Sequence, residues 1–354
     1  MKKLPKIARR RVGGSGEDLV RVRPLLEGRA HPTVIEPKVD GLDLVSWASN
    51  NRERIASLLT RNHALLFRGF EADGSNRQSL IDRFERFVET ASTGERLFYK
   101  DRSTPRNSYG DRIYNATVYP PDQTIRLHNE GTYWVTWARK IFFACVTNAE
   151  TGGETPIGDV HAVYERIDPE VRKEFEAKGV LYVRNYNDGF GLTWQNVYQT
   201  EDPNEVEAYC NANDIQFEWK DGGRLRTRQL RPAVRVHPDG GEKLWFNHAA
   251  FFHVSSLDPT TRDAFLSELG EDGLPYNTYY GDGSSIDPDT IAHIHSAYEA
   301  EKVVFRWQTG DVALYDNMRI AHARQPFTGE RLTLVAMTEP YRGPETVGDG
   351  PDIR

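Results

Sequence analysis

Residues 312 to 338 read VALYDNMRIAHARQPFTGERLTLVAMT, and this stretch decides the architecture. Val312 to Tyr315 is an apolar run of strand length, which Asp316 and Asn317 end in a polar turn. Arg319-Ile320-Ala321 then leads back inward to His322, and Gly329-Glu330 marks another turn before Arg331 to Thr338 resumes as a strand. Lys302 to Trp307 reads as a further strand ahead of the turn at Gly310.

Outward from this stretch, Lys140 to Thr147 is a continuous apolar run, as expected of a strand buried on both faces. Ala64 to Phe67, Glu154 to Ile157 and Val180 to Val183 also have strand character, whereas Leu42 to Leu59, Arg77 to Ala91, Val160 to Lys178 and Asp287 to Glu301 read as helical. Many short strands with few helices predict a mainly β fold, a sandwich or jelly roll with flanking helices. No repeat or Pro/Ser linker divides the chain, so residues 1–354 are expected to form a single domain. Residues 1–30 form a basic N-terminal arm. Residues 185–241 mix aromatic, Gly and polar residues and read as a helical or irregular insert, either a lid over a site or a plain surface excursion.

The 354 residues are 38% hydrophobic, enough for a substantial core. A net charge of -7 argues against a general phosphate-backbone binder, so no nucleic-acid partner is expected. Cys145 and Cys210 are each alone, which provides neither a paired-cysteine zinc site nor a disulfide framework and fits a reducing compartment. The basic N-terminus lacks the apolar segment of a signal peptide, and no run of about 18 apolar residues is present to span a bilayer. A cytoplasmic protein with no membrane partner is expected.

His128-Asn129-Glu130 follows Ile125 and Leu127 and precedes Gly131, at or near a strand end. Alternate strand residues share a face, so His128 and Glu130 would present an imidazole nitrogen and a carboxylate oxygen together. That is two thirds of a 2-His-1-carboxylate facial triad. A tripeptide of this kind also arises by chance, as a satisfied histidine beside a surface glutamate. His322 is the best third ligand, because sheet folds bring distant strands together. Arg331, its stem in the core, suits bidentate binding of a carboxylate. His293 and His295, two apart on a helix, point in different directions, and His161 has no visible partner. His248 and His253 flank Ala249 to Phe252 and face either a cavity or the core.

Taken together, HNE at 128–130, GGETPIGD at 152–159, DNMRIAHARQPFTGER at 316–331, YPPD at 119–122 and WFN at 245–247 resemble the taurine-dioxygenase and clavaminate-synthase superfamily of Fe(II)/2-oxoglutarate oxygenases. The similarity is greatest to its SyrP-like branch and spans roughly residues 35 to 342. It implies a double-stranded β-helix core, a jelly roll of cupin-like form. It further implies Fe(II) held by His128, Glu130 and His322, with Arg331 on the distal carboxylate of 2-oxoglutarate and Thr155 at the same end. O₂ is the other cosubstrate. Glu130 favours hydroxylation over halogenation, while desaturation, epoxidation and cyclisation use the same ligands. Glu stands where many relatives have Asp, and His248 where Gln is more common.

The implied substrate is an amino acid or an amino-acid-derived compound of specialised metabolism, either free or presented by a carrier protein. Asn115, Arg184, Trp194 and Arg324 are candidate contacts to it, Arg324 because strand alternation from His322 puts it on the metal side. Oligomeric state stays open, a homo-oligomer included. Two other readings compete: a catalytically silent cupin-like binding protein and a zinc hydrolase, of which the second leaves Thr155 and Arg331 without a purpose.

Overall fold

The computed structural model describes residues 19–70, 76–101, 106–116, 119–186 and 191–344. The strand expected from Arg331 runs as Leu332–Arg342 and pairs antiparallel along its length with Thr136–Thr147, with Leu334 opposite Ala144 and Met337 opposite Ile141. These two long strands sit inside an eight-stranded sheet. Its order is Val20–Pro24, Thr33–Pro37, Ala64–Phe67, Val312–Asp316, Thr136–Thr147, Leu332–Arg342, Ile113–Asn115 and Ser108–Gly110. Within it, only Thr33–Pro37 and Ala64–Phe67 pair in parallel.

The apolar run at 141–146 serves two cores at once. Phe142, Ala144 and Val146 face a layer of helices, where Trp47 of Leu44–Ser49, Ile55 of Arg52–Asn62, and Phe84 and Phe87 of Arg77–Ala91 pack. Ile141, Phe143 and Cys145 face the interior, where a three-stranded sheet of Ile125–His128, Ile320–Arg324 and Ile157–Asp159 closes the second wall. The alternation of a strand thus puts every residue of the run in an apolar layer. The resulting core is a double-stranded β-helix with helices outside it. Phe84 and Phe87 are fully buried, each worth about 1.5–3 kcal/mol of transfer from water.

Several expected elements differ in detail. The helix expected over Leu42 to Leu59 is broken at Asn50-Asn51, where the Asn51 side chain donates to the Trp47 carbonyl at 2.8 Å and competes with helix continuation. The helix expected over Val160 to Lys178 divides at Asp168-Pro169: Asp168 caps the second segment and Pro169 cannot continue the first. Lys302 to Trp307 is not a strand. Val303, Phe305 and Trp307 are buried in alternation, but only Val303 makes a bridge, to Ile157, so the side-chain period is present without the ladder.

The 185–241 region is more regular than expected. Strands Gln216–Lys220 and Arg224–Arg231 join Val180–Tyr186 and Tyr276–Tyr280 in a four-stranded sheet. Helices Trp194–Tyr198 and Pro203–Ala212 close a small core of Tyr186, Trp194, Val197, Val206, Cys210 and Leu225 against it. Of the basic N-terminal arm, Val20–Pro24 is an edge strand on Thr33–Pro37, and residues 1–18 lie outside the described residues. Among the described residues, no helix is long and apolar enough to cross a membrane.

Candidate active site

Strands Ile125–His128 and Ile320–Arg324 are antiparallel, and their register sets His322 directly opposite His128. The two imidazole centroids are 4.6 Å apart. Glu130 lies just past the strand end, where Gly131 turns the chain with φ +72°. A Cβ on Gly131 would meet the Trp134 ring at 2.4 Å, so glycine is required there by both backbone and packing. The Asn317 side chain holds Glu130 by its backbone: it accepts from the Glu130 N–H at 3.0 Å and donates to the Glu130 and Ala138 carbonyls at 2.9 and 2.8 Å. Asn129 donates to the Asn317 carbonyl at 2.7 Å, which ties the two turns together again.

One ligand atom from each of His128, Glu130 and His322 lies within 4.8 Å of the others, and all three residues are buried. Burial favours the neutral imidazoles and lowers the pKa of both His128 and His322. For Glu130 burial opposes ionisation, but the Arg106 guanidinium outweighs it and holds the carboxyl below its ordinary range. The result is two neutral imidazoles and one carboxylate, the protonation states that a divalent metal requires. His128 Nδ1 is 2.8 Å from the Arg126 carbonyl, to which it donates, leaving Nε2 free to bind a cation. His322 Nδ1 is buried with no protein partner. The donor set fits a metal ion.

On one side of these donors lies a cavity of about 400 Å³ lined by Phe143, Thr155, Ala323, Arg324 and Arg331. Arg331 Nε donates to the Gly153 carbonyl at 3.0 Å and Nη2 to Thr155 Oγ1 at 3.3 Å, while Trp307 Nε1 donates to the same oxygen at 2.7 Å. Burial, with Arg324 nearby, pushes the Arg331 pKa down to about 10, so it stays cationic at neutral pH. On the other side is a cleft of about 880 Å³, walled by Tyr133, His248, Phe251, Phe252, Leu257 and Tyr276. Arg106, Ile125, His128 and Glu130 line both.

Residues 21–338 match the model of the taurine catabolism dioxygenase TauD, TfdA family. The chain belongs to the TauD/TfdA family. It is therefore an oxygenase that uses Fe(II) and 2-oxoglutarate and acts on a small molecule. It is 39% identical over 321 residues to the dapdiamide synthesis protein DdaC of Enterobacter agglomerans, covering 90% of this chain and 94% of that one. A clavaminate synthase-like protein of Arabidopsis thaliana is 30% identical over 331 residues, covering 88% and 94%. The crystal structure of PvcB from Pseudomonas aeruginosa shares the fold at a TM-score of 0.52 and 17% identity, covering 90% of this chain and 91% of that one.

In this TauD/TfdA oxygenase, three of the four expected substrate contacts, Arg184, Trp194 and Asn115, line neither cavity, and Arg324 lines the smaller one. Arg184 is buried against Asp101 at 2.5 Å and lines neither cavity, because burying the arginine with its own carboxylate is the cheaper arrangement. Trp194 packs on Trp219 in the small core of the 185–241 region, its indole N–H donating to the Gly223 carbonyl. Asn115 accepts the Asn107 N–H in an outer strand of the large sheet. Arg324 does reach the smaller cavity, as alternation predicts, but its guanidinium donates to the carbonyls of Tyr119, Pro120 and Gln123 and clasps that loop.

No described residue of 185–241 lines either cavity; His248, Phe251, Phe252, Ser256, Leu257 and Tyr276 wall the larger one. His248 faces the donors, its Nδ1 paired with Thr132 Oγ1, and burial lowers its pKa well below the usual histidine range. His253 caps Ser255 outside the cavity lining. His293 accepts the Asp168 N–H while His295 pairs with Ser256, so the two do point apart. Arg106, Asn317 and Trp307 were not foreseen. Asn317 carried the one usable signal, a polar turn residue between two buried strands.

Proposed function

We propose that His128, Glu130 and His322 hold the Fe(II), that Arg331 and Thr155 bind the distal carboxylate of 2-oxoglutarate, and that the larger cleft takes the substrate. The observation that carries this reading is Arg331: a partly buried cation with no acid in salt-bridge range among the described residues, set across a small cavity from two neutral imidazoles and a carboxylate. A buried charge without a counter-charge is costly unless a ligand supplies one. The Thr155 hydroxyl accepts from Trp307 and can donate its own proton to the same carboxylate.

Bound iron, with the keto acid and O₂, supplies oxidising chemistry that no side chain provides. The residues of this chain hold, orient and exclude. His128 is fixed in one tautomer by the Arg126 carbonyl, Glu130 is held by its backbone to Asn317, and the aromatic wall keeps water from the reacting carbon.

The proposed reaction is hydroxylation of an unactivated C–H bond in an amino acid or an amino-acid-derived intermediate of specialised metabolism, free or carrier-bound. Extensive similarity to a dapdiamide synthesis protein supports that substrate class. Cys145 and Cys210, both free and buried, are consistent with a cytoplasmic enzyme. Desaturation, epoxidation and cyclisation would use the same ligands. A zinc hydrolase would leave Arg331 without a partner.

Anaerobic protein given Fe(II) and 2-oxoglutarate is expected to show a weak visible metal-to-ligand charge-transfer band, absent in His322→Ala. Folded, iron-loaded protein without the band rules the reading out. A mass-spectrometric screen of amino acids, free and carrier-bound, then tests the substrate class; turnover only of compounds unrelated to amino acids removes it.

A further inference from the structure

Arg106 sits where the two cavities meet and is buried. Nη2 contacts Glu130 Oε1, and the guanidinium lies 4.2 Å over the Tyr99 ring. Its other two nitrogens, Nε and Nη1, are buried with no hydrogen-bond partner among the described residues. Guanidinium groups enclosed by protein have their donors satisfied in nearly all structures, so unpaired donors beside a cavity point to a ligand acceptor. The lining of the larger cleft has the same polarity: Glu130 is its one acid, whereas Arg106 and the exposed Arg126 are cations. An ammonium group there would meet no free carboxylate. Opposite lie Ile125, Tyr133, Phe251 and Phe252, which suit a hydrocarbon segment.

We propose that Arg106 is the anion anchor of the substrate cleft: the substrate is a carboxylic acid whose carboxylate is received by the free donors of Arg106, with its hydrocarbon part along Phe251 and Phe252. This rests on the preceding reading in taking the larger cleft as the substrate's, and it narrows the substrate class to compounds with a free carboxylate near the reacting carbon. Glu130 and the incoming carboxylate share one guanidinium, so Arg106 also prevents two anions from facing each other unscreened. The same chemistry has a second source, the carboxylate of 2-oxoglutarate nearest the metal, and the test separates the two.

Full-length protein loaded with Mn(II) and 2-oxoglutarate under nitrogen is titrated by calorimetry with pentanoate, pentanamide and pentylamine, which match in length and differ in charge. Failure of Mn(II) and 2-oxoglutarate to bind would count against the metal reading and is seen before any probe is added. Pentanoate is expected to bind at least about tenfold more tightly than the other two, a preference that Arg106→Gln abolishes and Arg106→Lys partly restores. Affinity of Arg106→Gln for 2-oxoglutarate is expected to stay within about threefold of wild type, because Arg331 holds that ligand.

Equal binding of the three probes, tightest binding of pentylamine, or no binding of pentanoate overturns the proposal. So does an Arg106→Gln protein that keeps the pentanoate preference and loses 2-oxoglutarate, which would assign the residue to the keto acid. Arg126→Gln serves as the control: loss of the preference in that variant alone moves the anchor to the mouth of the cleft.

Discussion

Replacing Asn317 by alanine is expected to separate the two halves of the metal site while leaving all three ligands in place. The Asn317 side chain is fully buried and makes three hydrogen bonds, two to the backbone of Glu130 and one to the Ala138 carbonyl. Alanine strands one N–H and two carbonyls in a dry interior. At about 1–3 kcal/mol for each unsatisfied buried group, and allowing partial relaxation, the loss is about 3–6 kcal/mol. Out of a total stability of about 5–15 kcal/mol this is severe but survivable. Asn317→Asp keeps the shape and sets a carboxylate against the same carbonyls, so it should be no better than alanine. Asn129→Ala, which removes one bond to the Asn317 carbonyl, should cost about 1–2 kcal/mol and serves as the mild member of the series. Urea unfolding followed by tryptophan fluorescence gives the stability, and Mn(II) titration of the folded protein gives the metal affinity. Because Asn317 orients Glu130, affinity should fall about 10–100-fold. A stable Asn317→Ala protein that binds Mn(II) as the wild type does would refute the view that this side chain positions the ligand.

Arg331→Met should raise the dissociation constant of 2-oxoglutarate about 100-fold with little change in Mn(II) affinity, as read by calorimetry; an unchanged constant removes the residue from that role. Thr155→Val leaves the Trp307 indole N–H unpaired and should lower stability by about 1–3 kcal/mol in urea, with a smaller loss of 2-oxoglutarate affinity than Arg331→Met shows. Gly131→Ala combines a positive φ with a 2.4 Å approach to the Trp134 ring and should destabilise by about 2–4 kcal/mol; a neutral effect on the urea midpoint would contradict the packing. Burial pushes His253 and His295 down to about 4, from an ordinary 6.5. Each depressed histidine takes up its proton only on unfolding between these values, so metal-free protein should lose stability as pH falls from 6.5 towards 4; below that the histidine contribution is complete, and further loss comes from carboxylates with lowered pKa such as Asp282. About 1–2 kcal/mol per histidine is expected after discounting for partial exposure, and His253→Gln should flatten the profile of denaturation midpoint against pH.

The core strands were legible because their residues obey a period that only one structure satisfies. The run at 140–147 and the turn-punctuated stretch at 312–338 fall on adjacent strands, Thr136–Thr147 lying between Val312–Asp316 and Leu332–Arg342. Arg77 to Ala91 was legible as a helix to the residue, with Asn76 as its cap. Lys302 to Trp307 misled for a physical reason: burial alternates along any extended segment that rests on a core, and hydrogen-bond partners are set by what lies beside it. The proposed metal donors were legible as a chemical type, since imidazole and carboxylate at two-residue spacing mean the same thing wherever the strand runs. The convergence of His128 with His322 depends on a register that the long intervening sequence does not reveal. The wall of the larger cleft was only half legible: the segment at His248 to Phe252 read equally as cavity or core, and Tyr276 reaches the cleft through tertiary packing alone.

The arginines around the site show why residue type alone misassigns roles. Arg184, Arg324, Arg331 and Arg106 are all buried or nearly so, and each read alone is a candidate to bind an anion. What separates them is the partner each already has. Arg184 is neutralised by Asp101, so an added ligand carboxylate would have to displace an acid that is itself buried. Arg324 donates from Nη1 and Nη2 to three carbonyls, which commits the end of its guanidinium to the 119–123 loop and leaves only Nε without a partner among the described residues. Arg331 donates to a carbonyl and a hydroxyl, dipoles that orient its guanidinium, and no acid lies in salt-bridge range of it among the described residues, Glu154 acting on it only at longer range. Arg106 is shared: beyond the Tyr99 ring it lies over, its one ion-pair partner among the described residues is Glu130, a carboxylate whose own charge would be drawn towards a bound cation. Metal loading therefore lowers the compensation that Arg106 receives and raises its attraction for a second anion. Binding of metal, keto acid and acidic substrate should accordingly be cooperative in that order, through charge and without any movement of the fold.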